Sequence, residues 1–157
     1  MSATTATKWD DIKHIGAYRI ETTNVSLASA SKTIGGTVAP FAVMKEYPMK
    51  MLVSGSAPSA SAKGKLIIPA TRTYRVVANF MNLFSGLATA TYTLYVNGTS
   101  VHVVTCKGSE INQGNMANIT YVADLTAGDV LHFTHECTGG DNSSSLQTGS
   151  TVTIESL

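Results

Sequence analysis

A chain of 157 residues that is 43% hydrophobic and only 13% charged holds enough apolar material for one compact domain with an arm. It carries too little charge for a long solvated helix or a highly charged disordered protein. Small hydroxyls fill the gap, with 16 Ser and 21 Thr, and the threonine excess favours strands, because a branched β-carbon packs well on a pleated surface. A net charge of +1, with 11 Lys and Arg dispersed along the chain, excludes the basic face that phosphate neutralisation requires, so no nucleic acid is expected as a partner.

Met1 to Asp11 contains one lysine and no apolar run, so no targeting signal is expected there and synthesis is expected in the cytoplasm. No apolar stretch approaches the roughly 20 residues of a membrane span, and no membrane partner is expected. Residues 1–17 read as an N-terminal arm preceding a domain over 18–157. Within the arm, Trp9 to Ile15 has room for one or two helical turns, with Asp10 and Asp11 placed to favour the N-terminus of such a helix.

Strands follow in the patterns Tyr18–Val25 and Phe41–Met44, interrupted by Gly35-Gly36 and Pro40. The Ser, Ala, Gly and Pro of Ser54 to Lys65 read as a loop. Beyond it Tyr74, Val76, Ala78 and Phe80 alternate with Arg75, Val77, Asn79 and Met81, as a strand with one deeply buried face does. Tyr92, Leu94 and Val96 lead into Asn97-Gly98, a strong hairpin signal, and Thr99 to Cys106 supplies the returning strand. Ile119–Leu125 and Asp129–Cys137 repeat that design around Thr126-Ala127-Gly128, and Thr151–Leu157 closes the chain. Eight or so short strands separated by turns predict an all-β antiparallel sandwich of the jelly-roll kind.

Two cysteines, Cys106 and Cys137, lack the paired spacing of a zinc site and read as small core residues, with a disulfide as the minor alternative. His132, His135 and Cys137 lie on one strand, but alternation puts His132 on the face opposite the other two, so the strand offers no three-ligand metal cluster. Asp129 is placed to cap turn amides rather than to bind calcium. No serine sits in a nucleophile-elbow pattern and no His-Glu pair has hydrolytic-zinc spacing. The chain is therefore read as a non-enzyme without cofactor or metal.

Two segments carry a family resemblance. Residues 66–101, LIIPATRTYRVVANFMNLFSGLATATYTLYVNGTSV, resemble the middle strands of tumour-necrosis-factor-like jelly rolls, and residues 119–133, ITYVADLTAGDVLHF, resemble that family's Leu-x-x-Gly-Asp-x-Val turn. The ending STVTIESL resembles its closing strand. Arg72-Thr73 replaces the glycine expected before Tyr74, and no collagen-like or coiled stalk precedes the domain. The phage branch of the fold, small Thr-rich and charge-poor virion proteins, is the nearer likeness.

That likeness implies a homotrimeric virion structural protein, a capsid decoration (cement) or head-fibre protein on the capsid exterior, with the major capsid protein as partner. Trp9, Tyr18, Tyr47, Met49, Met51, Met81, Leu83 and Phe84 are apolar residues that a monomer would struggle to cover. The expected capsid contact is the arm, through Lys8, Trp9, Ile12, Lys13 and Ile15, with His14 beside them and the Phe41 to Met51 segment as the fallback anchor. The alternative function is a receptor- or glycan-binding tip of a tail fibre, whose amides, hydroxyls and carboxylate would come from loops at Asn112, Gln113, Asn115, Asp141 and Asn142.

Overall fold

The computed structural model describes residues 13–21, 25–27, 31–35, 39–47, 51–52, 64–109, 111–139 and 144–157. Their regular elements are all strands: β1 (Ile15–Ile20), β2 (Val25–Leu27), β3 (Lys32–Ile34), β4 (Phe41–Tyr47), β5 (Leu66–Ile67), β6 (Arg72–Ser85), β7 (Ala88–Val96), β8 (Thr99–Gly108), β9 (Ile111–Leu125), β10 (Val130–Thr138), β11 (Ser144–Leu146) and β12 (Thr151–Ser156). They form two antiparallel sheets packed face to face as a jelly roll, as the spacing of strands and turns predicts. One sheet runs β4-β1-β12-β6-β9, with β11 continuing the line of β12 along β6 and β2 pairing β11. The other runs β8-β7-β10, and both β3 and β5 pair with the far edge of β10.

The alternation read at Tyr74–Phe80 holds: Tyr74, Val76, Ala78 and Phe80 are fully buried while Arg75 and Met81 face out. At the centre of the sandwich the Phe80 ring stacks on Tyr92 from the opposite sheet, centroids 4.6 Å apart, and meets the edge of Phe133 at 5.5 Å. The Asn97-Gly98 turn has both residues at positive φ, 50° and 80°, the type I′ geometry whose twist matches the flanking strands. Gly35, at φ 79°, is required twice over, since an added Cβ would lie 2.1 Å from the Phe41 ring.

Several expectations are corrected. β1 begins at Ile15, inside the segment read as an arm, and His14 and Lys13 precede it without helical structure. The reason is period two: Gly16, Tyr18 and Ile20 are buried while Ile15, Ala17 and Arg19 share the other face, and Ile15 finds partners in Glu155 and Tyr47. Tyr18, Met51 and Phe84 are core residues rather than surplus apolar surface. The predicted strand Tyr18–Val25 is two, β1 and β2, that pair with different neighbours.

A carboxylate fastens the chain where it returns after β4. Glu46 Oε1 accepts hydrogen bonds from the Tyr18 hydroxyl at 2.8 Å and from the backbone N–H groups of Met51 and Leu52 at 3.0 and 2.7 Å. Burial, and then Glu46, raise the Tyr18 phenol pKa far above its ordinary value. Glu46→Ala strands three donors at once and is expected to lower unfolding free energy by about 3 kcal/mol, against about 1 kcal/mol for Tyr18→Phe. Urea unfolding of the two variants checks the order; equal losses would mean that the backbone amides contribute nothing.

Cys106 and Cys137 are both buried thiols. Each stands opposite Ala90, one on β8 and one on β10, so their Cα atoms are two strand spacings apart, roughly 9.6 Å. That exceeds the roughly 7 Å limit for a disulfide. Burial, helped by Cys137, pushes the Cys106 thiol up to about 11, which leaves it an inert apolar group at neutral pH.

Candidate interaction surface

Among the described residues, no second layer of this chain lies over the outward face of the β4-β1-β12-β6-β9 sheet. Strand register lays its side chains out in rows. Lys45, Ala17, Thr153, Val77 and Thr120 form one row, and Tyr47, Ile15, Glu155, Arg75 and Val122 the next towards the chain's described start. In the other direction come Thr151, Asn79 and Asn118, then the directly opposed pair Met81 and Met116. Tyr47 is 51% exposed, Val122 52%, Met116 48% and Met81 39%.

Charge is confined to the margins of this face. At one end Glu155 receives the Arg75 guanidinium and the Lys13 ammonium, the latter at 3.3 Å. Arg75 first, and Lys13 after it, hold the Glu155 carboxyl below its ordinary range. At the opposite corner Arg19 pairs with Glu21 at 2.5 Å. Between these pairs, apart from Lys45 on the edge strand β4, the rows contain only Ala, Val, Met, Thr and Asn. A groove of about 450 Å³ opens beside the methionine pair, bounded by Met81, Leu83, Met116, Asn115 and Gln147. Its rim is set by β11, since the Gln147 N–H donates to the Met81 carbonyl at 2.8 Å.

Such a face is suited to burial against protein. Its centre is uncharged and its branched and thioether side chains lie on a rigid sheet, while ion pairs sit at the rim where they remain hydrated. The signal is present in the sequence, although the arm overshadows it. β6 carries Val77, Met81 and Leu83 on the face opposite its core residues, and a strand that is apolar on both faces is covered on both.

The anticipated site residues distribute differently. Lys8, Trp9 and Ile12 lie outside the described residues. Lys13 and Ile15 belong to the sheet face just described, so the helical turns expected over Trp9 to Ile15 do not extend to these residues. His14 is buried, with its Nδ1 3.1 Å from the Tyr74 hydroxyl. For the glycan alternative, Asn112, Gln113 and Asn115 sit in β9 rather than in a loop, because β6 is 14 residues long and extends the ladder to Ser85. The Asn115 side chain donates to the Lys107 carbonyl at 3.1 Å. Asp141 and Asn142 lie outside the described residues.

Asp129 accepts from the Thr126 N–H at 2.8 Å and from the Asn97 side chain at 2.8 Å, a cap that ties the Asn97-Gly98 hairpin to the turn by which the chain crosses from β9 in one sheet to β10 in the other. Asn97 first, then the Thr126 amide, lower its pKa. Among the described residues no three His, Cys, Asp or Glu side chains are grouped for a metal ion. His132 and His135 do fall on opposite faces: His132 stacks on Tyr95 outside the sandwich at 4.7 Å, and His135 is fully buried inside it.

No family model matches the sequence, and no curated protein matches it. Solved structures do match. An Eiger tumour necrosis factor from S. frugiperda superposes with a TM-score of 0.64 at 14% identity, covering 92% of each chain. Murine APRIL gives 0.66 at 9% identity over 93% of this chain and all of that one. The globular domain of zebrafish complement 1qA protein gives 0.58 at 11% identity over 93% and 97%. The fold is that of the tumour-necrosis-factor and C1q-like jelly rolls.

Proposed function

We propose that this chain is a structural protein of a phage virion, a homotrimer that decorates the capsid or projects from it as a head fibre. The observation that carries the assembly is the uncharged, apolar centre of the β4-β1-β12-β6-β9 face. No described residue of a single copy covers that face, and the same patch repeated heterologously around a threefold axis closes into a ring that does. The threonine-rich, charge-poor sequence and its likeness to phage jelly-roll proteins support the virion role.

Capsid attachment falls to the arm. Trp9 and Ile12 supply apolar anchors and Lys8 supplies charge, while Lys13 stays paired with Glu155 on the sheet face, and three linked arms multiply a modest single affinity through avidity. Deleting residues 1–11 is therefore expected to leave a trimer by light scattering that no longer sediments with undecorated capsids, a loss of at least about 100-fold in occupancy at limiting protein. Retention of wild-type occupancy would move the anchor to the jelly-roll body. Failure to bind capsids at all, with free protein blocking adsorption of phage to cells, would place the protein at a fibre tip.

A further inference from the structure

Inside the sandwich one titratable group is held without a second partner. The His135 ring is fully buried, with Nε2 2.8 Å from the Ser144 hydroxyl of β11 and its edge against the Tyr92 ring at 4.9 Å. Nδ1 is buried with no hydrogen-bond partner among the described residues. The neutral ring tolerates this by bonding Ser144 through Nε2 and leaving a lone pair at Nδ1. The protonated ring tolerates it poorly, because Nδ1–H becomes a buried, charged donor with only the backbone of His135 itself to turn to among the described residues.

Among the described residues the surroundings offer no counter-charge. Tyr92 faces the ring from β7; Cys137 lies two residues on along β10, and Cys106 stands beyond it on β8. Asn82 on β6 is taken by Tyr92 and Cys106. On the β3 side the register partner is Lys32, itself a cation. β5 and β2 contain Leu66-Ile67 and Val25-Ser26-Leu27, none of which titrates. No carboxylate among the described residues faces the ring. β11, which holds its one polar partner, is three residues long, connects β2 to β6, and leads into the Gln147 rim of the groove.

We propose that His135 is an acid-released latch: when the ring takes a second proton, β11 and β2 detach from β6, and the groove end of the interaction face loses its rim. The latch stands on the core geometry alone, whereas its effect on assembly rests on that face being the contact between copies. Burial lowers the His135 pKa from 6.5 to about 4. The open state therefore binds more protons between these values; the latch's stability is complete above pH 6.5 and is lost as pH falls towards 4. Linkage makes closure about 60-fold less favourable at pH 4.5 than at pH 7.

Hydrogen exchange of the full chain, corrected for intrinsic rates, tests this in wild type and His135→Gln. Peptides containing 25–27 and 144–146 are expected to lose protection about 60-fold between pH 7 and 4.5 in wild type and less than about threefold in the variant. The variant comparison separates His135 from His14, which is also shifted down by burial but keeps Tyr74 as partner. Equal acid loss in both proteins, or a His135 ring titrating near 6.5 by NMR, would overturn the latch. Should His135→Gln not fold, Ser144→Ala keeps the imidazole and removes its partner; unchanged protection of both peptides at pH 7 would overturn the latch as well. Light scattering at pH 4.5 tests the coupling, which predicts loss of the trimer in wild type alone. Opened peptides with an unchanged trimer mass would overturn that coupling, and a monomer at both pH values would overturn the inter-copy contact while leaving the latch in place.

Discussion

Val77→Asp is expected to yield a folded monomer. Val77 sits in the middle row of the interaction face, flanked in register by Thr153 and Thr120, with no cation among those partners to receive a carboxylate. Closing three copies over that face would bury one unpaired charge per subunit, at an effective cost of several kcal/mol each. About 3 kcal/mol per contact weakens association roughly 100-fold at each, and a ring of three contacts does not survive that at micromolar protein. The isolated sandwich is unaffected, since the Val77 side chain points away from the core. Val103→Asp is the control: Val103 is 54% exposed and lies on the outward face of the other sheet, opposite Thr93. Sedimentation of both variants with the wild type decides the matter. A trimer in Val77→Asp, or a monomer in Val103→Asp, would remove this face from the assembly.

The largest loss of fold stability is expected from Phe80→Ala. Phe80 joins the sheets at their centre through its stack on Tyr92 and its edge contact with Phe133, and it is completely buried. Truncation removes the transfer free energy of the ring and leaves a cavity between two rigid sheets, together about 3–5 kcal/mol, with the aromatic pairs contributing about another 1 kcal/mol. A domain of this size has about 5–15 kcal/mol in total, so the variant should be marginal at 37 °C. Phe80→Leu keeps most of the volume and should lose less than half as much. Denaturant melts at one fixed protomer concentration check the pair, because trimer formation shifts apparent stability by mass action. Similar midpoints for Phe80→Ala and wild type would mean that the core relaxes around the missing ring.

Much of this architecture is legible in the linear pattern. A period of two at Tyr74–Phe80, the Asn97-Gly98 turn and the Thr126 to Asp129 turn are local features, and each produces the same hydrogen bonds wherever its strand is placed. That is why the central strands, the Asn97-Gly98 hairpin and the jelly-roll class follow from the residues alone, whereas β9 and β10, read as a second hairpin around Thr126-Ala127-Gly128, pair β6 and β7 in opposite sheets. The capping role of Asp129 and the opposite faces of His132 and His135 follow for the same reason, being one-strand or one-turn geometry.

Other properties depend on partners distant in the chain. Asn112 and Gln113 look like loop residues, yet they extend β9 because β6, some 30 residues earlier, is long enough to pair with Gln113 and Ile111 on either side of an irregularity at Asn112. Tyr18 and Met51 are buried because Glu46 ties both segments to one carboxylate. Cys106 and Cys137 stay apart because each pairs with Ala90 from a different side. Side-chain alternation says which residues share a face, whereas long-range register says what covers that face. On register depended the placing of Val77 and Met116 on an uncovered surface, and of His135 in a pocket with one partner for two nitrogens.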